Sequence, residues 1–442
     1  MQLDFTRQID SHMRLRHQVY ISCLMLIGLA SCRSHQQDDN TFIFWSSSNP
    51  EEIKFTEQYV DRWNQAHPEL PFFFQPVPEG QSSEEVLLAA VVGKTTPDIY
   101  ANMWQGDVED FARSGVLVPL DTLDGFLEFL YQRCDSQVIR EITSADGHIY
   151  QVPWKVNPIM MMYNPDMFQA AGIANVPADY SSYLEAGKKI KAHAQAAKLG
   201  NQWLGISEVN PIWWQRFFNF LPLYYASSQG APIVKDGKAA FNNEHGIGVF
   251  TFLQALYAKD YFPREQQKGQ SDPFLAARIA STFIGPWTIE QNERFKTEGF
   301  KYDFIHMPVP DSMKGPIYSY GDPKNMVIFN TCKDPERAWL FLQTLISPEA
   351  DRDFLALSGQ FPRRKDLESN ILFADYLQAH PKLIPFVQQA KYVKGMDSAR
   401  YMKEVLDIIS QEYEACVVYG QKTPEDAIAA AAKAVDLLYL NN

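Results

Sequence analysis

Short apolar runs alternate with stretches of helical spacing in the part of the chain that follows position 40. Apolar residues recur at helical spacing over 51–66, and a second helix is predicted over 86–92, where Ser82 and Glu85 form a capping-box pattern. The runs that predict strands are 41–45, 72–77 and 97–101. This order of strand, helix, strand, helix and strand predicts a parallel sheet with right-handed crossovers.

The later part of the chain predicts further elements and a second domain. Residues 147–164 are β-rich but broken by prolines, so we expect this segment to cross between two domains. Residues 280–287 predict a strand that ends in a Gly-Pro-Trp turn. Helix starts that combine a capping side chain with proline in the first turn are Asn164-Pro165, Asp334-Pro335, Ser347-Pro348 and Thr423-Pro424. A chain of 442 residues is long enough for two or more domains.

The N-terminal residues have the pattern of an export signal. A basic stretch precedes an apolar run over 19–30, which is too short to span a bilayer as a resident helix. Small residues then lead directly into Cys32, which is the order found in bacterial lipoprotein signals. We therefore predict a signal peptide over 1–31, lipidation of Cys32 and a polar tether over 32–40. The alternative is a buried N-terminal helix with a chance cysteine.

The charge and composition of the chain restrict the classes of partner that it can bind. The formal net charge is −13 and no basic run occurs, which argues against binding to nucleic acid or to an anionic membrane surface. No later apolar run is long enough to span a bilayer, so we expect an extracytoplasmic protein that lipid holds at the cell membrane. The 29 Phe, 21 Tyr and 9 Trp fit either aromatic cores or a ligand with flat apolar faces.

Cysteine and histidine residues give no sign of a metal or redox site. Beyond the predicted signal and lipid anchor, the remaining cysteines are Cys134, Cys332 and Cys416. An odd number of cysteines cannot form a fully paired framework, although a single disulfide between two of them is possible. No CxxC or HExxH pattern occurs and the histidines are scattered, so we expect neither a metal nor a cofactor.

Five sequence blocks, in order along the chain, resemble one family. They are LLAAVVGKTTPDIYANMW (87–104), SGVLVPLD (114–121), GHIYQVPWKVNPIMMMYNPDMFQAAGI (147–173), FIGPW (283–287) and DPERAWLFLQTLISPEADRDFLALSGQFPRR (334–364). Over residues 40–440 the chain resembles the carbohydrate-type extracellular solute-binding proteins, family 1, of bacterial ABC transporters. Residues 319–322 depart from the pattern, because Asp322 stands where the family often has the second glycine of Ser-x-Gly-Gly.

The resemblance implies an α/β, two-lobed periplasmic-binding-protein-like fold with a hinge and an inter-lobe ligand cleft. One lobe would combine 41–156 with 320–370, and the other would combine 157–319 with 371–442. A small solute would bind in the cleft, the lobes would close over it, and an ABC permease would recognise the closed form. Such a protein is a monomeric carrier and not an enzyme.

Sugar rings have apolar faces and polar edges, so the implied cleft needs aromatic planes beside amide, carboxylate or guanidinium groups. Strand ends and turns supply the candidates, because open α/β sheets bind ligands there. The predicted ligand-binding residues are Trp45, Trp104, Trp154, Asn157, Trp213 (or Trp214), Trp287 and Asp322. Each has a competing interpretation as a core or turn residue, and Arg363 and Arg364 fit either the cleft or surface ion pairs.

The implied function is capture of a sugar or oligosaccharide for import. The same fold could instead bind a polyamine, which needs several carboxylates beside the aromatic rings, or a phosphorylated solute, which needs arginine or a helix N-terminus. An exported glycosidase or an adhesive lipoprotein is the alternative from another class. A glycosidase requires two carboxylates that flank one bond, whereas Asp107 and Asp110 have the spacing of a solvated helix face.

Overall fold

The computed structural model describes residues 40–77, 81–206, 213–265 and 272–441, except for the side chains of 81–84 and 213–218. The predicted signal peptide, Cys32 and the tether up to position 39 lie outside the described residues.

The strands form two mixed sheets and two short pairs within the described residues. The strands are β1 (Phe42–Ser47), β2 (Phe72–Val77), β3 (Ile99–Trp104), β4 (Val152–Lys155), β5 (Met160–Tyr163), β6 (Trp203–Ile206), β7 (Val234–Lys235), β8 (Lys238–Ala239), β9 (Ile279–Ile284), β10 (Asp303–Ile305), β11 (Ser319–Tyr320), β12 (Lys324–Ile328) and β13 (Val393–Lys394). The five-stranded sheet has the order β2-β1-β3-β12-β4, and the four-stranded sheet has the order β10-β5-β9-β6.

Helices cover both faces of each sheet. The helices are α1 (Pro50–Ala66), α2 (Gln81–Gly93), α3 (Gln105–Arg113), α4 (Phe126–Arg133), α5 (Ser136–Ile142), α6 (Pro165–Ala170), α7 (Tyr180–Ala197), α8 (Trp213–Ser228), α9 (Glu244–Ala258), α10 (Thr288–Phe295), α11 (Pro335–Leu345), α12 (Pro348–Ser358), α13 (Ile371–Ala379), α14 (Ile384–Gln389), α15 (Met402–Tyr413) and α16 (Pro424–Asn441). Short 3₁₀ turns occur at Leu120–Thr122, Pro381–Leu383 and Ala390–Tyr392, and a π-helical turn at Glu414–Val418.

The first lobe consists of the five-stranded sheet and the helices packed on it. β1 pairs in parallel with β2 and with β3, which confirms the predicted parallel core. β12 enters between β3 and β4 and runs antiparallel to both, so the sheet is mixed. Phe44 and Ile328 face one apolar core with α1, α11 and α12, while Tyr100 and Val327 face the other with α3.

The second lobe consists of the four-stranded sheet and its helices. β5 runs antiparallel to β9 and β10, and β6 runs parallel to β9. Met161 and Phe283 face a large core that includes α7, α9, α15 and α16, while Met160 and Met162 face α13 and α14. Because apolar side chains on both faces are covered, each sheet forms the buried centre of its lobe.

Residues 152–163 pass from one sheet to the other, as the β-rich segment predicted. β4 belongs to the five-stranded sheet and β5 to the four-stranded sheet. Between them, Asn157 N donates to Gly321 O at 2.5 Å and Ile159 N donates to Tyr320 O at 2.9 Å. These backbone bonds place two connections between the lobes side by side. The predicted residue boundaries of the lobes stay a prediction.

Helix starts follow the capping pattern with one correction. Asn164, Asp334 and Ser347 each accept a backbone N–H from the first turn of their helices, and Thr423 accepts from Asp426 N at 3.1 Å. The capping box predicted at Ser82 is wrong, because α2 already begins at Gln81 and Ser82 lies inside it. Sequence spacing locates a cap only when the chain upstream of it leaves the helix.

The cysteines are buried thiols. Cys134, Cys332 and Cys416 are all unpaired, which settles the question that the odd count left open. Burial raises the pKa of Cys134 and of Cys416 to about 11, so these thiols remain protonated and unreactive. Among the described helices, none combines the length and apolar character that a membrane crossing requires.

Candidate functional site

The carboxyl edge of the five-stranded sheet brings several strand ends together. β1 and β3 are parallel and end at this edge, and Lys324 at the start of β12 lies opposite Trp104 of β3 and Lys155 of β4. Open α/β sheets bind ligands outside the carboxyl ends of their parallel strands. We therefore define the strand-end site by the carboxyl halves of β1, β3 and β4, the start of β12 and the first turn of α1.

An ion pair between Lys155 and Glu52 is buried in the strand-end site. The two side chains are 3% and 1% exposed. Lys155 Nζ donates to Glu52 Oε1, and Gln360 Nε2 donates to the same oxygen at 2.6 Å. Asn157 Nδ2 in turn donates to Gln360 Oε1 at 2.9 Å. Asn157, a predicted ligand residue, is therefore already engaged in a buried polar network.

Four buried oxygen atoms of the strand-end site have no hydrogen-bond partner among the described residues. They are Ser46 Oγ, Glu52 Oε2, Asn102 Oδ1 and Asn325 Oδ1. Buried polar atoms in folded proteins are nearly always paired, so atoms like these are places where a ligand or an ordered water completes the pairing. The oxygens of a carboxylate, two amides and a hydroxyl can all accept from hydroxyl donors.

Asn102 interrupts the regular pairing of β3. Its φ is 105°, a value that residues other than glycine rarely adopt. The register shifts beside it, because Met103 lies opposite Asn325 while Ala101 lies opposite Met326. Such a bulge re-aims a side chain and recurs next to binding sites. No sequence pattern singles out Asn102, since the bulge exists only relative to β12.

Trp104, Tyr320 and Asp322 form a hydrogen-bonded relay. Trp104 Nε1 donates to the Tyr320 hydroxyl at 3.0 Å, and that hydroxyl donates to Asp322 Oδ1 at 3.3 Å. Lys324 Nζ lies 3.3 Å from the same carboxylate oxygen. Burial, reinforced by the charge of Asp322, raises the pKa of Tyr320 well above its ordinary value, so the hydroxyl remains a donor. The structure thus brings together two predicted ligand residues, Trp104 and Asp322.

Trp154 lies in the core of the first lobe. Its side chain is 1% exposed, and its ring centroid lies 5.0 Å from that of Phe354. Lys155 Nζ lies 4.8 Å from the Trp154 ring centroid, within the range of a cation–π contact. The ring therefore packs against Phe354 and beside Lys155, and its Nε1 has no hydrogen-bond partner among the described residues, so its role as a ligand residue stays a prediction.

The remaining predicted aromatic residues lie in both lobes. Trp45 is half-buried in β1, and its Nε1 has no hydrogen-bond partner within the described part of the chain. Trp287 is half-buried after β9, and its ring covers Gly285 so closely that a Cβ there would collide with it. Trp213 begins α8, but its side chain lies outside the described residues, as does that of Trp214.

Arg363 and Arg364 are both buried and paired. Arg363 Nη2 donates to Glu141 Oε1 at 2.9 Å, and Arg364 Nη1 donates to Asp351 Oδ2 at 2.8 Å. Their charges are therefore compensated by carboxylates of the protein itself, while Arg363 Nε has no hydrogen-bond partner among the described residues, and a place for either arginine in the cleft stays a prediction.

No sequence pattern singles out Glu52, Lys155 or Gln360 as site residues. A usable signal for Glu52 is its position in the first turn of the helix that follows β1, at the carboxyl edge of a parallel sheet. Lys155 and Gln360 carry no comparable signal, since their roles depend on contacts with distant residues. In the part of the chain that the structure describes, no cluster of His, Cys, Asp and Glu could hold a metal ion.

The family model for bacterial extracellular solute-binding proteins matches residues 47–352. The chain belongs to this family. The solute-binding protein is 22% identical to the sn-glycerol-3-phosphate-binding periplasmic protein of Escherichia coli (strain K12), over 94% of this chain and 95% of that protein. It is 21% identical to the maltotriose-binding protein of Pyrococcus abyssi, over 82% of this chain and 74% of that protein.

Solved structures share the fold of this solute-binding protein. The cyclic alpha-maltosyl-1,6-maltose binding protein of Arthrobacter globiformis superposes with a TM-score of 0.75 at 20% identity, covering 91% of this chain and 99% of that one. The two-lobed α/β periplasmic-binding-protein fold is therefore established. The family is non-enzymatic, and the protein acts outside the cytoplasm as the solute-binding component of an ABC transporter.

Proposed function

We propose that this solute-binding protein captures a neutral sugar or oligosaccharide and delivers it to an ABC permease by hinge closure. The observation that carries the proposal is the pairing of charge in the strand-end site. Glu52 is paired with Lys155, and Asp322 is paired with Lys324. Because each positive charge has a carboxylate partner, the site offers no surplus charge to an anionic or cationic solute.

The unpaired oxygen atoms support a polyol as the solute. Ser46 Oγ, Glu52 Oε2, Asn102 Oδ1 and Asn325 Oδ1 accept hydrogen bonds, and a sugar hydroxyl donates one while it accepts another. A fully ionised phosphate only accepts, so it would leave these oxygens unpaired. A polyamine donates, but its charge calls for carboxylates beyond those already neutralised by lysine.

The relatives support a small polar solute and differ in its charge. The relative from P. abyssi is named for maltotriose, and the relative from E. coli is named for glycerol 3-phosphate. Aromatic surfaces suit the apolar faces of sugar rings, and the half-buried Trp45 and Trp287 would supply them from the two lobes. Trp104 is 6% exposed and would add a third surface where an open cleft uncovers it. Glycerol 3-phosphate has no ring to stack, so the aromatic residues favour the sugar.

A panel of solutes tests this function by thermal unfolding. A neutral sugar that binds only the folded protein is expected to raise Tm, with a stabilisation of about 2.7 kcal/mol at a concentration about 100 times Kd. Malto-oligosaccharides, arabino-oligosaccharides, spermidine and glycerol 3-phosphate are compared at equal concentration. A shift with glycerol 3-phosphate or spermidine, and none with any sugar, would contradict the proposal.

We further propose that lipid on Cys32 holds the mature protein at the membrane. Cys32→Ala is expected to move the protein from the membrane fraction to the soluble extracytoplasmic fraction, because the thiol that carries the lipid is gone. Solute affinity should not change, since the substitution lies outside the lobes. Cys23→Ala, in the same predicted signal, is the matched control and should remain with membranes. Membrane retention of the Cys32→Ala protein would rule out this anchor.

A further inference from the structure

Residues 393–401, called the linking segment below, lie between the two lobes. On the side of the first lobe, Ser398 Oγ donates to Glu141 O at 2.8 Å, and Gln105 Nε2 donates to Met396 O at 2.9 Å. Farther along, Tyr401 N donates to Asp110 Oδ2 at 2.9 Å. The linking segment is therefore fastened to α3 and α5 at several points.

The Glu141 carboxylate accepts three hydrogen bonds beside the linking segment. Its Oε1 accepts from Gly395 N at 2.8 Å, from Arg363 Nη2 at 2.9 Å and from Gln105 Nε2 at 3.2 Å. Glu141 and Arg363 are both buried. A buried carboxylate that accepts several hydrogen bonds, one of them from a guanidinium group, is held in one position.

The backbone at Gly395 lies so close to the Glu141 carboxylate that the position requires glycine. A Cβ at this position would collide with Glu141 Oε1, with Gln105 Oε1 and with the ring of Pro323. Only glycine lets the backbone approach Glu141 closely enough for its N–H to donate. The contact therefore depends on the residue type at both ends.

The other side of the linking segment is bound to the second lobe. Asp397 Oδ2 accepts from Ile233 N at 2.8 Å and from Val234 N at 3.0 Å, and the Tyr225 hydroxyl donates to Gly395 O at 3.1 Å. Met396 is fully buried in the large core of the second lobe. Movement of one lobe relative to the other must therefore act on the linking segment.

The linking segment also lies beside the connections between the sheets. Gly321 N donates to Lys394 O at 2.9 Å, and β13 pairs with β11. Arg363, the partner of Glu141, donates its backbone N–H to Trp154 O at the end of β4. Atoms close to a hinge axis move least when lobes rotate, so contacts at this place can persist through opening and closing.

We infer that Glu141 is a positioning residue that fixes the linking segment to the first lobe and defines the axis about which the cleft opens. It touches no solute and acts through Gly395, Arg363 and Gln105. Loss of its charge should leave the lobes folded but allow a wider range of angles between them. The inference rests on the proposed function only where solute affinity is the readout.

Distance measurement without solute tests this inference. Spin labels at exposed Lys54→Cys and Lys188→Cys, in α1 and α7, report the separation of the lobes. Glu141→Gln is expected to broaden the distance distribution by at least a factor of two. Glu109→Gln is the matched control, because Glu109 is a buried carboxylate of the same lobe that pairs with Arg113. Its distribution should equal that of the parent.

Gly395→Ala provides a second, independent variant and should broaden the distribution in the same way. Unfolding midpoints establish that each variant is folded before distances are compared. Distributions of Glu141→Gln and Gly395→Ala that match the parent would overturn the inference, as would equal broadening by Glu109→Gln. For a solute found in the panel, Glu141→Gln is also expected to weaken binding about fivefold. If no solute binds the parent, the proposed function fails while the distance result still decides the role of Glu141.

Discussion

Replacement of Lys155 by methionine is expected to destabilise the protein by about 3–5 kcal/mol, because it leaves the Glu52 carboxylate buried without a positive partner. Both side chains of the pair are almost fully buried, so water cannot take over the role of the ammonium group. Methionine matches the length of the lysine stem and keeps the packing against Trp154. Urea unfolding of Lys155→Met and of the parent measures the difference in the free energy of unfolding.

The double variant Glu52→Gln with Lys155→Met separates stability from solute binding. Stability should return to nearly that of the parent, since removal of both charges of a buried pair is often neutral. Gln360 Nε2 donates to Oε1 of residue 52, so the new amide would turn its oxygen to Gln360 and its NH₂ group to the position of Oε2. A donor would then replace the acceptor that we assign to a solute hydroxyl, and affinity should fall at least tenfold.

Calorimetric titration with the solute identified in the panel measures this loss. Arg133→Met is the matched control, because Arg133 and Asp351 form another buried ion pair of the first lobe whose side chains are not part of the strand-end site. It should lose less stability than Lys155→Met, because Asp351 keeps Arg364 as a partner, and its folded fraction should bind solute as the parent does. Parental affinity in the double variant would show that Glu52 serves the fold alone.

Glu52 also shows that helical spacing predicts the bounds of a helix better than it predicts which side chains are buried. The spacing predicts a helix over 51–66, and the structure has α1 at Pro50–Ala66. The same spacing places Ile53 in the core, but Ile53 is half-buried and Glu52 is buried. Periodicity counts apolar side chains, whereas a buried carboxylate depends on its partner, and Lys155 lies 103 residues away. Local patterns contain no information about such a pair.

The parallel pairing of the first three strands was predictable, because the rules that predict it use only neighbouring segments of the chain. β1, β2 and β3 follow one another with helices between them, so their parallel pairing follows from local connection rules. β12 comes more than 200 residues after β3 and pairs antiparallel with it. Nothing near Lys324 in the sequence indicates that pairing, and the Asn102 bulge is a consequence of it.

The predicted tryptophans differ in what the fold packs against each ring. Trp154 and Lys155 are neighbours in β4, and Lys155 Nζ lies over the Trp154 ring, 4.8 Å from its centroid. The sequence marks Trp154 as an aromatic residue at a strand end but does not reveal that α12 covers its face. Trp104 has the same local pattern, and it is the Tyr320 hydroxyl, distant in sequence, that fixes its indole. Residue type therefore identified candidates, and only packing sorts them.

Replacement of Asp322 by glycine is expected to weaken solute binding about tenfold and to lower the free energy of unfolding by about 1–3 kcal/mol, because the buried Tyr320 hydroxyl loses an acceptor. Asp322 has a φ of 38°, in the left-handed region that glycine adopts without cost. Relief of that strain favours the glycine variant, and loss of the partly exposed pair with Lys324 opposes it by at most about 1 kcal/mol. These two contributions nearly cancel, so the net loss of stability comes from the acceptor that the buried Tyr320 hydroxyl loses.

Binding should fall because the relay to Trp104 loses the Asp322 carboxylate that accepts from Tyr320. Without Asp322 Oδ1, the buried Tyr320 hydroxyl must find another acceptor, and the indole that donates to it is no longer fixed in orientation. A stacking surface that must be ordered by the solute binds it less tightly than one already in place. Trp104 is proposed as such a surface, so the loss of its fixed orientation raises Kd in addition to the lower Tm of the free protein.

Two further variants isolate this role of Asp322. Asp322→Asn keeps an acceptor oxygen and tolerates the left-handed backbone, so it should restore most of the affinity if the hydrogen bond matters more than the charge. Asp260→Gly is the matched control, because Asp260 has a φ of 57° and pairs with Lys191 on the surface of the second lobe. It removes the same strain and a similar ion pair and should leave Kd unchanged. If Asp322→Gly also binds with parental affinity, Asp322 does not orient Trp104, and its unusual backbone reflects only the turn between β11 and β12.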